Sequence, residues 1–247
     1  MKDSLVIIPT YNEKENIARM VSEVFSLSTD MHLLIIDDGS PDGTASVVKD
    51  LQSQFSNRLF LVERTGKSGL GTAYIHGFKW ALQKNYQFIF EMDCDFSHPP
   101  KDLIRLYDEA LKGVHVVVGS RYCRGGKVKN WPMGRILMSY FASVYVRIIT
   151  WMPVTDTTAG FVCYRREFLE KLDFNKITFI GYAFQIEMKF AAWQLGFKIK
   201  EIPITFTDRV EGASKMSKGI FKEAILGVLK MKWKSLSQKN AYGKMKL

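Results

Sequence analysis

The sequence lacks several features that would settle its class at once. It has three cysteines, Cys94, Cys123 and Cys163. Odd in number and widely spaced, they form neither a disulfide framework nor a metal-ligand pattern, and they fit a reducing compartment. Histidines are equally sparse: His32, His76 and His115 show no ligand spacing and read as structural. The start, Met1-Lys2-Asp3-Ser4-Leu5, gives only a four-residue apolar stretch before Pro9. That is too short for a signal peptide, so the expectation is a chain that begins folding in the cytoplasm. With 47% hydrophobic and 24% charged residues, neither disorder nor a multi-span membrane protein is indicated.

Acidic charge is also in deficit. The net charge is +10, and residues 201–247 hold ten Lys or Arg against four acids, a local excess of +6. A basic end of this kind points to a polyanionic partner: nucleic acid, anionic lipid or a phosphorylated substrate. No aromatic RNA-binding signature accompanies the charge. Acidic strand ends would repel a polyanion unless a metal intervened, which disfavours a non-catalytic basic module.

Short apolar runs alternate with helical patterns through the first half of the chain. Leu5–Ile8, Leu33–Ile36, Leu59–Val62, Phe88–Met92 and Val114–Val118 read as buried strands. Ile17, Met20, Val21, Val24 and Phe25 follow helical spacing, with Asn12 as the expected cap and Glu15 completing a capping box. Leu103, Leu106, Tyr107, Ala110 and Leu111 repeat that period. Such alternation predicts an α/β fold, a mostly parallel sheet flanked by helices, whose ligands gather at the carboxyl ends of the strands. Those ends are unusually polar: Pro9-Thr10-Tyr11-Asn12-Glu13, Asp37-Asp38-Gly39-Ser40-Pro41-Asp42-Gly43, Asp93-Cys94-Asp95 and Gly119-Ser120-Arg121-Tyr122. Each alone is ordinary turn chemistry; four together mark a site.

Asp93-x-Asp95 is the central motif. In an extended segment the two carboxylates point apart; where the chain bends, one ligates a hard divalent cation and the other orients the sugar or a bound water. Oxygen ligands of this type suit Mg2+ or Mn2+, which also bind substrate phosphates. His98, before Pro99-Pro100, reads as shaping the loop into the next helix. The Lys67–Gly71 stretch invites a phosphate-loop reading but lacks the Gly-Lys-Ser/Thr ending at the spacing a P-loop requires.

Two segments look interfacial. Residues 134–152 are largely apolar, with Tyr140, Phe141, Tyr145, Trp151 and Met152, but are interrupted by Arg147. They fall short of the roughly 20 residues a spanning helix needs, leaving an interfacial helix or a buried core helix. Residues 219–236 place Ile220, Phe221, Ala224, Ile225, Val228 and Leu229 on one face. Lys218, Lys222, Lys230, Lys232 and Lys234 lie around that face, with Trp233. That pattern suits a headgroup layer or a helix packed back on the core. The domain expectation is one unit over 1–236 with a flexible basic tail over 237–247.

The stretches Pro9–Glu13, Ile35–Gly43, Gly69–Gly77, Met92–Pro99, Gly119–Tyr122, Gly181–Glu187 and Asp208–Lys215 together resemble the inverting glycosyltransferases of family 2. These have the GT-A (Rossmann-like) fold, and the likeness is close to the polyprenol- or dolichyl-phosphate mannose synthases. The resemblance covers about residues 4–235. It implies transfer of mannose from GDP-mannose to a polyprenyl phosphate, with Mg2+ or Mn2+ as cofactor. Pro9, Tyr11, Glu13, Ile35 and Asp37 would hold the guanosine part, and Asp93 and the Cys94 backbone would meet the donor. Asp95 would be the principal metal ligand beside Asp93, with Ser97 where some relatives carry Gln. Arg121, Arg135, Ser139, Arg209 and Lys215 match positions that bind the lipid phosphate or the donor diphosphate. Arginine forks suit phosphate through paired hydrogen bonds.

Attachment would be peripheral, on the cytoplasmic face of a membrane, alone or with a small membrane-anchoring subunit, and no nucleic acid is involved. A phosphate monoester has a second pKa of about 6 and is largely dianionic at neutral pH, so no residue is assigned as general base. Gln185 and Glu187 lie where other family members carry a base-bearing motif; here a positioning or structural role is equally open. Donor identity is not written in the side chains, and a UDP-sugar with the same acceptor stands as the alternative.

Overall fold

The computed structural model describes the chain except residues 28, 182, 209–218, 239 and 245–247, and for 219–225 it describes the backbone alone. Its centre is a seven-stranded sheet. β1 (Ser4–Thr10), β2 (His32–Asp37), β3 (Leu59–Glu63) and β4 (Phe88–Glu91) are followed by β5 (Val116–Ser120), β7 (Val162–Arg165) and β8 (Ile199–Pro203), in the order β3-β2-β1-β4-β7-β5-β8. β7 runs antiparallel to both its neighbours, while the other pairs are parallel. β6 (Lys127–Lys129) and β9 (Thr205–Thr207) form a separate parallel ribbon.

Helices α1 (Lys14–Ser26), α2 (Thr44–Gln52), α3 (Leu70–Gln83) and α4 (Asp102–Leu111) link the early strands. α5 (Met133–Thr150), α6 (Arg166–Lys171), α7 (Ala183–Gln194) and α8 (Gly219–Ser237) follow. The α/β expectation is what the chain adopts.

The reason lies in the strands' two-sided apolarity. Successive residues of β1 and β2 feed opposite layers. Leu5, Ile7, Leu34 and Ile36 pack with Tyr74, Phe78, Tyr164, Phe184 and Phe190. Val6, Ile8, Leu33 and Ile35 pack with Met20, Val21, Val24, Leu103 and Leu106 on the other side. Strands buried on both faces need helices over both, which only the alternating crossover topology supplies.

The two glycines that open α3 exist for close approach. Gly69 has φ +99°, and a Cβ there would stand 2.9 Å from the Ile180 carbonyl oxygen; at Gly71 it would lie 2.7 Å from the Phe184 ring. The Gly71 N–H then reaches the Ile180 carbonyl at 2.8 Å, joining α3 to the loop before α7.

Two local expectations differ from the structure. Asn12 does not cap α1. It sits at φ 56° and its backbone N–H donates to Ser40 Oγ, while the helix starts after Glu13 with no side-chain cap. The turn is set by the neighbouring loop rather than by helix-end chemistry. The tail expected to be flexible beyond Ser237 returns to the body. Tyr242 is wholly buried, Gly243 bridges to Leu172, and Lys176 Nζ donates to the carbonyls of Asn240 and Gly243.

Gly77 makes the packing testable, because a Cβ there would come within 2.8 Å of Ile7 and 3.0 Å of Ile36. Gly77→Val is expected to destabilise the fold by about 1–3 kcal/mol through overpacking. Urea unfolding checks this, and an unchanged midpoint would contradict the tight contact between α3 and the sheet.

Candidate functional site

The carboxyl ends of β1 and β2 lie in register, Thr10 opposite Asp37. Asp37 is buried and its carboxylate accepts from Thr10 Oγ1 at 2.9 Å, Ser40 N at 2.8 Å and Ser40 Oγ at 2.5 Å. Ser40 Oγ in turn accepts from Asn12 N, and Thr44 Oγ1 from Glu13 N, while Asp42 accepts from Lys14 N and Thr44. Turn chemistry and site chemistry thus use the same residues, lacing the two loops into one wall. Pro9, Tyr11 and Glu13 are half-buried along it. Ile35 is different: its side chain is wholly inside the core, beneath the wall.

Arg64, just past β3, completes this corner and was not among the expected site residues. Its Nε lies 3.3 Å from Asp38 Oδ1 and it donates to Thr72 Oγ1 at 2.7 Å. Burial raises the Asp38 carboxyl above its usual range, a shift the Arg64 charge opposes. The third strand's end was the available signal, since Glu63-Arg64 occupies the position at which the other strand ends were read. Lys67 Nζ stands 5.3 Å over the Tyr11 ring.

Beyond β4 the chain bends as the paired carboxylates require, with Phe96 at φ 60°. Asp95 is buried, and its Oδ1 accepts the Ser97 N–H at 3.1 Å. His98 Nδ1 accepts the Asp93 N–H at 3.1 Å, while its ring lies flat on Phe161 with centroids 5.0 Å apart. Burial pushes the His98 pKa down to about 4, so the ring is neutral and its Nδ1 is available as an acceptor. His98 therefore shapes the loop by holding the backbone of Asp93. Cys94 is buried in the core, leaving only its backbone for the cleft.

Ser97 Oγ is buried with no hydrogen-bond partner among the described residues. No group of three His, Cys, Asp or Glu side chains gathers to hold a metal among those residues either. A hydroxyl oxygen left over in the turn that carries Asp93 and Asp95 would fit a hard cation that takes its remaining ligands from phosphate oxygens and water, as Mg2+ commonly does.

The basic side is built around Arg121. Its Nε and one terminal nitrogen fork onto Asp156 at 2.7 and 2.6 Å, its backbone N–H reaches the same carboxylate at 2.8 Å, and Thr158 Oγ1 accepts at 2.8 Å. The rings of Tyr122, Trp131 and Phe206 stand 5.1–5.6 Å from the guanidinium carbon. Arg135 shares Trp131, 4.0 Å above its ring, and pairs with Asp208 at 3.2 Å. Ser139 lies half-buried one turn further along α5. Arg121 and Arg135 thus come together around one indole. Arg209 and Lys215 lie outside the described residues.

Gln185 is buried with neither amide atom hydrogen-bonded among the described residues. Glu187 accepts from Thr178 N, Thr178 Oγ1 and Phe179 N at 2.8–3.0 Å. Its carboxylate is occupied in shaping the loop that meets Gly69 and Gly71.

A sheet that gathers a hydrogen-bonded polar wall, a carboxylate pair and a buried arginine along one edge has the layout of a glycosyltransferase. The family comparison agrees: the model described as Glycosyl transferase family 2 matches residues 5–173, and the chain belongs to that family. It is 44% identical over 225 residues to a polyprenol monophosphomannose synthase from Mycolicibacterium smegmatis, covering 91% of this chain and 85% of the relative. It is 42% identical to an undecaprenyl-phosphate mannosyltransferase from Micrococcus luteus, covering 94% and 96%. A solved mannosyltransferase from Pyrobaculum calidifontis, in complex with GDP-Man and Mn2+, shares the fold with a TM-score of 0.56 at 17% identity, over 98% of this chain and 76% of that one.

The Arg121–Asp156 fork makes two predictions about stability. Asp156→Asn leaves a buried guanidinium without its counter-charge and is expected to cost about 3–5 kcal/mol. Burial alone would raise the Asp156 pKa, but the Arg121 charge and hydrogen bonds outweigh it and hold the value below 3.8. A depressed folded-state pKa contributes stability that is present above the unfolded value and lost as pH falls through the folded one. The difference between wild type and variant should therefore be full at neutral pH and shrink below pH of about 4. Urea midpoints across that range check it; a pH-independent difference would contradict the ionised pair.

Proposed function

We propose that this chain transfers a mannosyl group from GDP-mannose to a polyprenyl phosphate, inverting the anomeric centre, on the surface of a membrane. The observation that carries the reading is that Asp93, in the turn whose Ser97 Oγ has no partner among the described residues, lies within electrostatic reach of Arg121, which shares Trp131 with Arg135. Both substrates are phosphorylated, and the site offers a carboxylate pair for one and cations for the other. The names of the two relatives and the GDP-Man complex of the structural neighbour support the choice of sugar and acceptor.

The wall built on Thr10, Asp37 and Ser40 gives the nucleotide a preorganised surface, with the Tyr11 ring and Glu13 on it. Asp93, Asp95 and Ser97 would hold a divalent cation, which supplies charge neutralisation to the departing diphosphate. His98 fixes the Asp93 backbone without carrying charge. Arg121 is oriented by Asp156 and Arg135 by Asp208, so both guanidiniums are preorganised for an acceptor phosphate rather than recruited from solvent. The acceptor is an anion already, so its oxygen attacks C1 without a protein base.

Peripheral attachment has support in the surface. No helix among the described residues is long and apolar enough to cross a membrane. Yet α5 exposes Met133, Leu137, Phe141 and Ile148, and α8 exposes Leu226, Leu229, Trp233 and Leu236 at helical spacing. The two helices pack on each other, with Lys232 Nζ 4.0 Å over the Trp151 ring and Lys230 exposed nearby. Apolar stripes with a cationic fringe suit an anionic headgroup layer. The side chain of Lys222, expected on that fringe, lies outside the described residues.

Asp95→Asn is expected to lower kcat about 100-fold or more, in the range for losing one preorganised electrostatic group, with vesicle binding unchanged. Radiolabel transfer from GDP-mannose checks it, and near-normal turnover would refute the site assignment. Trp233→Ala combined with Lys230→Glu is expected to weaken sedimentation with phosphatidylglycerol vesicles several-fold. Turnover of a short, soluble acceptor should persist, because the exposed face serves docking. Equal losses in both assays would contradict that division.

A further inference from the structure

The irregular segment between α5 and β7 carries both halves of the site. Its Asp156 and Thr158 hold Arg121. Its Phe161 carbonyl accepts the Gly119 N–H at 2.8 Å, and its Phe161 ring supports His98, the residue that holds Asp93. At the start of the segment, Glu201 on β8 accepts from Thr155 N, Thr155 Oγ1 and Asp156 N at 2.6–2.8 Å.

Near its end stands a buried cation. Lys189 on α7 is wholly buried, and its Nζ donates to the Ala159 carbonyl at 2.6 Å and to the Gln185 carbonyl at 2.9 Å. Gly160 follows, with the space on its Cβ side bounded by His98 Cε1 at 3.7 Å and Gln185 Nε2 at 3.8 Å.

An ammonium taken fully out of water is costly, and an apolar side chain of similar length would fill the volume at no such cost. At longer range the charge is balanced by Asp156 and Glu201 and opposed by Arg121, while burial raises Glu91 on β4 to about 8 and leaves it largely protonated at neutral pH. Burial lowers the Lys189 pKa to about 8, so it remains mostly charged at neutral pH. Among the hydrogen bonds described here, Lys189 gives the only side-chain tie between α7 and the segment.

We infer that Lys189 is a positioning residue for the sugar transfer proposed above: it pins Ala159 to α7 and so fixes Arg121 and Asp93 in one geometry. The inference rests on that reading of the reaction, but the link it describes is physical and has its own readout. Loss of the tie frees the segment between Glu201 and β7, loosening the Asp156 grip on Arg121 and the Phe161 support of His98 together.

The test is Lys189→Met in the full chain, followed by hydrogen–deuterium exchange and steady-state kinetics. Peptides covering 92–98, 119–123 and 155–161 are expected to exchange about tenfold faster, with the β1–β3 peptides unchanged. The kcat is expected to fall about tenfold or more while the KM for GDP-mannose changes less than about threefold, as misplacement of reacting groups predicts. The melting temperature should hold within about 3 °C, since an apolar replacement of a buried charge is often neutral. Unchanged exchange in 155–161, or normal kcat despite faster exchange, overturns the inference. Should the Met variant not fold, Lys189→Gln carries the same two readouts. If the wild-type chain transfers no mannose, the proposed reaction fails, and exchange alone then decides whether Lys189 positions these loops.

Discussion

The fork between Arg121 and Asp156 is the interaction on which the site depends. Both partners are buried, and neither tolerates that environment without the other. Arg121 ends β5, whereas Asp156 arrives from the segment that leads into β7, 35 residues further on. The pair therefore fixes the two chain segments that converge on the basic side of the cleft. Its aromatic surround of Tyr122, Trp131 and Phe206 draws in the β6–β9 ribbon and the start of α5 as well. Burial strengthens the pair and makes any uncompensated change costly, so the arrangement has one geometry rather than several.

That convergence follows from the reversed strand. If β7 were parallel like its neighbours, the segment before it would enter at the opposite edge of the sheet, away from the ligands. Running antiparallel between β4 and β5, β7 instead begins at the edge where those strands end: Val162 pairs with Glu91 on one side and with Val118 on the other. The same edge receives Asp93 from β4 and Arg121 from β5. One topological exception thus joins the acidic turn of Asp93 and Asp95 to the basic side around Arg121.

Much of this was legible in the sequence, for a physical reason: strands buried on both faces are apolar runs, and their ends are where polarity begins. The wall at Pro9–Glu13 and Asp37–Gly43, the Asp93–Asp95 turn and Arg121 were readable in that way. Residues whose meaning depends on pairing were not. Asp156 sits in an irregular stretch, Lys189 on a helix and Glu201 on an edge strand, and only the fold reveals that each is paired with a partner from another element. Asn12 failed as a helix cap because it sits at φ 56° one residue before the cap position, which Glu13 occupies. The docking of Tyr242 turned on a single aromatic in an otherwise polar tail. The approach of Asp93 to Arg121, and the sharing of Trp131 by two arginines, belong to tertiary structure alone.

The account as a whole stands on one reaction, and sugar transfer into the organic phase measures it directly. Purified chain is incubated with a panel of labelled nucleotide sugars, a polyprenyl phosphate and Mg2+ or Mn2+, with and without excess EDTA. Label is expected in lipid only from GDP-mannose, as the anomer opposite to that of the donor, and not after chelation. Transfer from a UDP-sugar instead, undiminished transfer in EDTA, or retention of the donor's anomeric configuration would contradict it.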